Sequence, residues 1–286
     1  EIPDHFHREF TTNVELLLQE RRPVLLPAVM TAAYSGEAAQ VVKQFGEVEF
    51  QEKQSRHADT VWSAIAHHQR WMFPTDYTLS LPIDKEDELR MLNSPQSSYV
   101  EAMLAAWARK TNAVIRDAAL GPAQTGKNGA TVTNFDTVNQ QVAAGGTGLT
   151  ISKLREALEI LRLNEVEEHD PLYLAVTAKQ VTDLLETTEV TSSDYNTVKA
   201  LVAGDVDTFL GFKFIRYNGL GVDGSSKRRC FAWAKSGLVL GQWNGLETRI
   251  DPRPDKEYTT QIFMAGTLGA TRTNEQKVVE ILCAES

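Results

Sequence analysis

One stretch constrains the fold more than any other: residues 97–122, SSYVEAMLAAWARKTNAVIRDAALGP. Val100, Met103, Leu104, Trp107, Ala108, Ile115 and Ala118 follow helical spacing, which puts them in one stripe along a helix. Glu101, Arg109, Lys110, Arg116 and Asp117 fall on or beside the other face. Ser98 is an N-cap residue type, and Glu101 three positions on completes a capping box worth about 1 kcal/mol. Gly121 suits a left-handed stop, and Pro122 forbids continuation. The predicted helix therefore covers about 99–120, roughly 30 Å at 1.5 Å per residue. Trp107 near its middle is the strongest anchor, because burying a large apolar side chain contributes about 1.5–3 kcal/mol. Such a helix is a mechanical spine, and Val100, Met103, Leu104, Trp107 and Ile115 are its structural residues.

The chain around it has 286 residues, enough for one large domain or two ordinary ones, and 42% of them are hydrophobic, enough for a real core. With 29 basic and 38 acidic residues the net charge is -9, which disfavours a protein that coats nucleic acid. It is compatible with one that encloses nucleic acid without gripping it. No apolar run approaches the length of a membrane-spanning helix. Cys230 and Cys283 are too few for a disulfide scaffold and are expected to be reduced, partly buried thiols.

Before the spine, residues 1–45 look like an arm. HREFTTNVELLLQERR carries a short helical pattern, Pro23 and Pro27 force an extended path, and a second short helix is predicted over about 36–44, stopped by Gly46. VEFQEKQ alternates like a strand through Val48 and Phe50, and YTLSLP does so through Tyr77, Leu79 and Leu81. Between them the aromatics Trp62, Trp71 and Phe73 sit in polar sequence without a clean period. This pattern fits a long two-stranded excursion whose tip packs on another chain, since interfaces favour Trp, Phe, Met and Arg. A helical hairpin inside the core is the competing reading. PIDKEDELRML, 82–92, carries Asp84, Glu86, Asp87 and Glu88, as a solvated first helical turn would.

After the spine, a hinge at 142–150 leads into a helix over ISKLREALEILRLN, capped by Thr150 and stapled by Leu149 and Leu154. LYLAV is a short buried strand, and Thr177 with Gln180 opens the next helix. TFLGFKFIRYNGL and CFAWAKSGLVLGQW read as strands around a turn bearing Lys227, Arg228 and Arg229. Residues 150–245 are thus a compact α/β lobe. The end of the chain is strand-rich, with Pro252 and Pro254 in an exposed crossing and VVEILC as a closing apolar strand. The spine is the element that should cover these strands.

Few residues suggest chemistry. Gly121, Gly126 and Lys127 match GxxxxGK, but Asn128 stands where a phosphate loop needs Ser or Thr for magnesium. The segment also leaves a helix, whereas a phosphate loop joins a strand to a helix. It reads as a surface loop, and a nucleotide hydrolase using 121–128 is the remote alternative. His169 among Glu167, Glu168 and Asp170 reads as a solvated turn rather than a metal cluster, and the adjacent His67 and His68 diverge in regular structure. No catalytic, cofactor-binding or metal-binding residues are assigned, no cofactor is expected, and the chain is not expected to be an enzyme.

The order of elements, with ARKTNAVIRDAALG in the spine, the PIDKEDE crossing and the ending GATRTNEQKVVEILC, resembles major capsid proteins of tailed bacteriophages, especially short-tailed ones. The resemblance implies an α+β chain of the Hong Kong 97-type capsid fold. On it, 1–45 corresponds to the N-terminal arm and 46–82 to the extended E-loop. Residues 83–149 and 246–286 correspond to the peripheral domain, and 150–245 to the axial domain at capsomer centres. The implied function is self-assembly through pentamers and hexamers into an icosahedral shell around double-stranded DNA, without sequence-specific binding. Trp62, Trp71 and Phe73 are candidate intersubunit contacts. The implied partners are further copies of the chain, a portal protein, and scaffold or decoration proteins, with no membrane. The implied location is the virion, after assembly in the bacterial cytoplasm. The alternatives are an encapsulin-like shell or another phage structural protein.

Overall fold

The computed structural model describes residues 22–46, 48–50, 52, 55–56, 62–83, 96–186 and 208–285. A 3-10 turn at Leu26–Ala28, with Pro27 in its first positions, delivers the chain into β1 (Met30–Ala33). It replaces the extended path expected from the two prolines. β2 (Ala39–Phe45) is a strand where the helix over 36–44 was expected. Its partner β3 (His67–Met72) decides this: the two run antiparallel from Ala39↔Met72 to Phe45↔His67, with a bulge between Gln40 and Val42. Val41 and Val42 tolerate either state, and the ladder overrides a weak helical preference.

β4 (Thr75–Ile83) follows. The spine, α1 (Gln96–Leu120), starts ahead of Ser98, which therefore lies inside the first turn rather than capping it. Next come β5 (Ala123–Thr125), β6 (Thr131–Thr133), β7 (Gln141–Val142) and α2 (Ile151–Leu163). They lead into β8 (Leu172–Val176), α3 (Ala178–Glu186), β9 (Thr208–Phe209) and β10 (Phe212–Arg216). Four longer strands finish the chain: β11 (Lys227–Ala234), β12 (Leu238–Arg253), β13 (Thr259–Arg272) and β14 (Val278–Ala284). Among the described residues near Val48 and Phe50 there is no strand, contrary to the alternation there. The helix expected before Pro23, and the acidic crossing from Asp84 onward, lie outside the described residues.

The chain divides into two compact units. One comprises Glu1–Pro23, Asp76–Lys110 and Asn244–Thr267, and the other Val24–Thr75, Thr111–Trp243 and Leu268–Ser286. In the larger unit, six strands lie in the order β7-β14-β11-β8-β10-β9. β11 pairs antiparallel with both β14 and β8, while β10 runs parallel to β8, an arrangement that needs a crossover such as the one containing α3. α2 buries Ile151, Leu154, Ala157 and Leu161 in the same core. Thr150 caps it by accepting from Lys153 N, and Leu149 and Leu154 are fully buried as the staple requires. Trp233 of β11 is also fully buried: its indole donates to Ala28 O at 2.9 Å and its rings lie near Tyr173 and Phe231. β14 (278–284) is an inner strand of this sheet, between β7 and β11.

A second sheet of this unit, β2-β3-β5-β6, is antiparallel throughout. β1 lies parallel to the start of β12, from Met30↔Val239 to Ala33↔Gln242. The smaller unit contains β4 and the portions of β12 and β13 that fall within it. Its core is Ile83, Met103, Ile262 and Met264, with Leu81, Tyr99, Val100 and Leu246 packed against them. Trp107 lies flat on the backbone of β13: a Cβ added to Gly266 would meet its ring at 2.5 Å. Gly266 is therefore the position that lets the spine and the returning strand approach so closely.

Candidate functional site

The two halves of α1 bury different residues. In the smaller unit Met103, Ala105 and Ala108 are buried, while Leu104, expected on the stripe, is 44% exposed. In the larger unit the buried set is Thr111, Asn112, Ile115 and Ala119. The polar pair is used: Asn112 Oδ1 accepts from Leu25 N at 3.1 Å, which ties the segment before β1 to the spine.

The C-terminal end of α1 is closed by a residue that periodicity did not reveal. Arg272, at the end of β13, is fully buried, and its Nη1 donates to Ala118 O at 3.2 Å, to Ala119 O at 3.1 Å and to Gly121 O. A cation at a helix C-terminus satisfies carbonyls left without intrahelical donors and opposes the negative end of the helix dipole. Gly121 does not adopt the expected left-handed conformation. It accommodates a tight end instead: a Cβ there would lie 2.4 Å from Asp117 O. Burial lowers the affinity of Arg272 for its proton, and Glu275, with Oε1 3.7 Å from Nη2, offsets this. Glu275 also takes a short ion pair from Arg70 of β3. One carboxylate thus serves two buried guanidinium groups. The only sequence signal for Arg272 is that it is the sole charged residue in the 14-residue strand β13.

Trp71 of β3 packs against the glycine segment after the spine. Residues 123–133 form an ordered hairpin of β5 and β6, with Gly126 and Gly129 in the left-handed region at its turn. Trp71 donates its indole N–H to Gly126 O at 2.8 Å. A Cβ at Gly129 would sit 3.0 Å from the Phe73 ring and 3.1 Å from Cβ of Trp71, tighter than an ordinary contact. Trp71 therefore has partners within its own chain. Phe73 is half covered, and Trp62 is 91% exposed. The hairpin is followed by strand and turn, not by the helix a phosphate loop would open.

The other sequence candidates disperse or are neutralised. Asp170 accepts from the backbone N–H and hydroxyl of Ser236, so it anchors a turn. Arg228 makes two bonds to Glu285, at 2.9 and 2.7 Å, and Arg229 pairs with Glu280, which also accepts from Gln141 at 2.6 Å. The Arg228 guanidinium, aided by Gln180, holds the Glu285 carboxyl below the usual carboxylate range. The basic turn is thus paired to the C-terminal strand. Cys230 and Cys283 are free and buried, and a hydrogen bond to Cys283 together with burial pushes the Cys230 thiol up. Nearby, Lys153 donates to Ala144 O, Thr147 O and Gly148 O at 2.8 Å and to Leu282 O at 3.1 Å, locking the glycine hinge onto β14. Among the described residues no group of three or more His, Cys, Asp or Glu is placed to hold a metal ion, and no helix is long and apolar enough to cross a membrane.

The phage capsid protein family matches residues 2–285. The chain belongs to that family. Solved structures agree on the fold. The capsid of cyanophage P-SCSP1u is 16% identical, with a TM-score of 0.72 over 99% of this chain and 94% of that one. The capsid asymmetric unit of cyanophage Pam1 is 10% identical, with a TM-score of 0.73 over 99% and 98%. A chain of Mycobacterium phage Che8 is 16% identical, with a TM-score of 0.69 over 97% of each. No curated protein matches. The fold is the Hong Kong 97-type capsid fold of mixed α/β elements and open sheets. This capsid protein is a self-assembling structural protein.

Proposed function

We propose that the protein builds a closed icosahedral shell from pentamers and hexamers around double-stranded phage DNA, and that residues 46–66 act between subunits. The observation that carries the second part is the exposure of Val48, Phe50, Trp62 and Ile65 on one segment of a single subunit. Apolar side chains concentrated in this way on a protein surface mark an interaction site. In this reading 46–82 is the E-loop and α1 the spine helix. Residues 150–245 with 278–284 are the axial domain, and the remainder of 83–149 and 246–286 is peripheral. Residues 1–45 are the arm, which from Leu25 onward lies on its own subunit: Leu25 and Ala28 are buried in the lobe core, and β1 and β2 pair within the chain. Trp62 and Phe73 contact other subunits, while Trp71 holds the base of the excursion. The net charge of -9 limits adhesion to the enclosed DNA, so packaging proceeds without base readout. A portal protein, and scaffold or decoration proteins, complete the particle, which assembles in the host cytoplasm.

Electron microscopy of the purified protein tests this reading. Closed particles with five- and six-fold capsomers are expected. A stable monomer under all assembly conditions, or open tubes alone, overturns it.

A further inference from the structure

The sheet β2-β3-β5-β6 carries a cavity of about 620 Å³ whose character runs against that of the chain. Its charged and titratable lining consists of His67, His68, Arg70 and Lys127, and none of its described lining residues is acidic. Thr125 and Thr131 add hydroxyls. In a protein of net charge -9 this is a local concentration of positive charge and hydrogen-bond donors.

The buried side of the cavity strengthens that field. Arg70 is 7% exposed and spends Nη2 on Glu275, while its Nε and Nη1 have no hydrogen-bond partner among the described residues. Glu275 is shared with Arg272, so two guanidinium groups face one carboxylate and a positive charge is left over. An uncompensated cation in a low-dielectric interior acts on its surroundings more strongly than a solvated one. The cavity is the open side of this arrangement, lined by Arg70, Lys127 and the two histidines.

We infer that the cavity receives a carboxylate side chain from a second copy of this chain. Phosphate would satisfy the same donors, but the rim favours protein. Phe45, 67% exposed, lies in a T-shaped arrangement with the lining His67, their ring centroids 5.1 Å apart. A polar contact flanked by an exposed aromatic ring matches a protein interface better than a nucleic-acid backbone. The supply is present in every assembly, because each copy carries 38 acidic residues against 29 basic ones. The GxxxxGK residues thus have a use unrelated to nucleotides: the ordered hairpin presents Lys127 at the mouth of an acceptor site between subunits.

The inference rests on shell assembly, and the test separates the two. Shells are formed from an equal mixture of nitrogen-14 and nitrogen-15 subunits, treated with a carbodiimide that joins touching amines and carboxylates, and digested for mass spectrometry. A Lys127 peptide joined to an Asp or Glu peptide of the other isotope is expected in shells and not in dissociated subunits. Lys127→Glu should cut the yield of closed shells at least ten-fold with subunit melting unchanged, while Lys127→Arg should assemble normally. Closed shells in which Lys127 is unlinked, or linked only within its own copy, overturn the inference, as does normal assembly of Lys127→Glu. Lys127 protected in DNA-filled shells but open in empty ones assigns the site to phosphate instead. If wild-type subunits form no shells, the assembly reading fails and takes this one with it.

Discussion

Two tryptophans in the larger unit measure the difference between its six-stranded lobe and its excursion. Trp233 is buried on all sides, with its indole bonded to Ala28 O. Trp62 is almost wholly in solvent. The lobe completes its own core, so its aromatics contribute to folding. Trp62 is left uncovered by its own subunit, so whatever free energy it offers is released only on meeting another surface. A shell protein needs both kinds of region: subunits that fold before they meet, and segments that gain burial only by meeting. Four substitutions test that division, from the lobe outward.

The largest loss is expected for Trp233→Ala. Truncating a fully buried aromatic costs about 3–5 kcal/mol through lost transfer energy and the cavity left behind. That is a large share of the roughly 5–15 kcal/mol holding a domain together. Insoluble subunits, or a thermal midpoint lowered by many degrees, would be seen in soluble yield and calorimetry. A variant that melts like the wild type would mean that the lobe is not the self-sufficient region.

Arg272→Leu should come next. It leaves the carbonyls of Ala118, Ala119 and Gly121 without this donor and gives Glu275 one cation instead of two. Removing one partner from a buried ionic cluster costs about 3–5 kcal/mol, reduced here because Arg70 remains to hold Glu275. Hydrogen exchange should show earlier opening of residues around 115–121 than in the wild type. Unchanged protection there would mean that Arg272 does not hold the end of the spine.

These two cases show what the sequence made legible. The spine and the strand-helix-strand lobe were readable because apolar spacing alone defines a helix face and a buried strand. The buried face of α1 was only partly readable: its halves pack in different units, and within the first half the buried set is Met103, Ala105 and Ala108 while Leu104 is exposed. β2 was taken for a helix because its state is set by pairing with β3, about thirty residues away, a non-local cause invisible in a short window. Arg272 and Lys153 were missed because a buried cation is recognised by the carbonyls around it, and those come from distant segments. The surface loop proved to be a hairpin because its glycines are fitted to Trp71 and Phe73, which precede it by more than fifty residues.

Trp71→Ala lies between the lobe and the tip. It removes a half-buried indole and its bond to Gly126 O, a loss of about 2 kcal/mol to the isolated subunit. Subunit melting should fall measurably but less than for Trp233→Ala, and shell formation should suffer because the excursion loses its base. A subunit midpoint identical to wild type, with shells lost, would return Trp71 to the intersubunit role.

The smallest effect on folding and the sharpest contrast belong to Trp62→Ala. A side chain this exposed makes almost no contribution within its own subunit, and surface substitutions of this kind stay within about 0.5 kcal/mol. Circular dichroism and the thermal midpoint of the isolated subunit should match wild type. In the shell the same residue is expected to be an anchor, where truncation costs about 2 kcal/mol or more per contact. Because symmetry repeats each contact in every subunit, a modest loss per site is multiplied over the closed particle. Closed shells counted by microscopy should fall sharply while folded subunits or loose capsomers accumulate. Trp62→Phe, which keeps an aromatic ring, should recover part of the yield. If Trp62→Ala assembles as well as wild type, the exposed aromatics of 46–66 do not hold subunits together, and the contrast between lobe and excursion loses its functional meaning. If it unfolds the subunit, the excursion is part of the core and the division is wrong at its root.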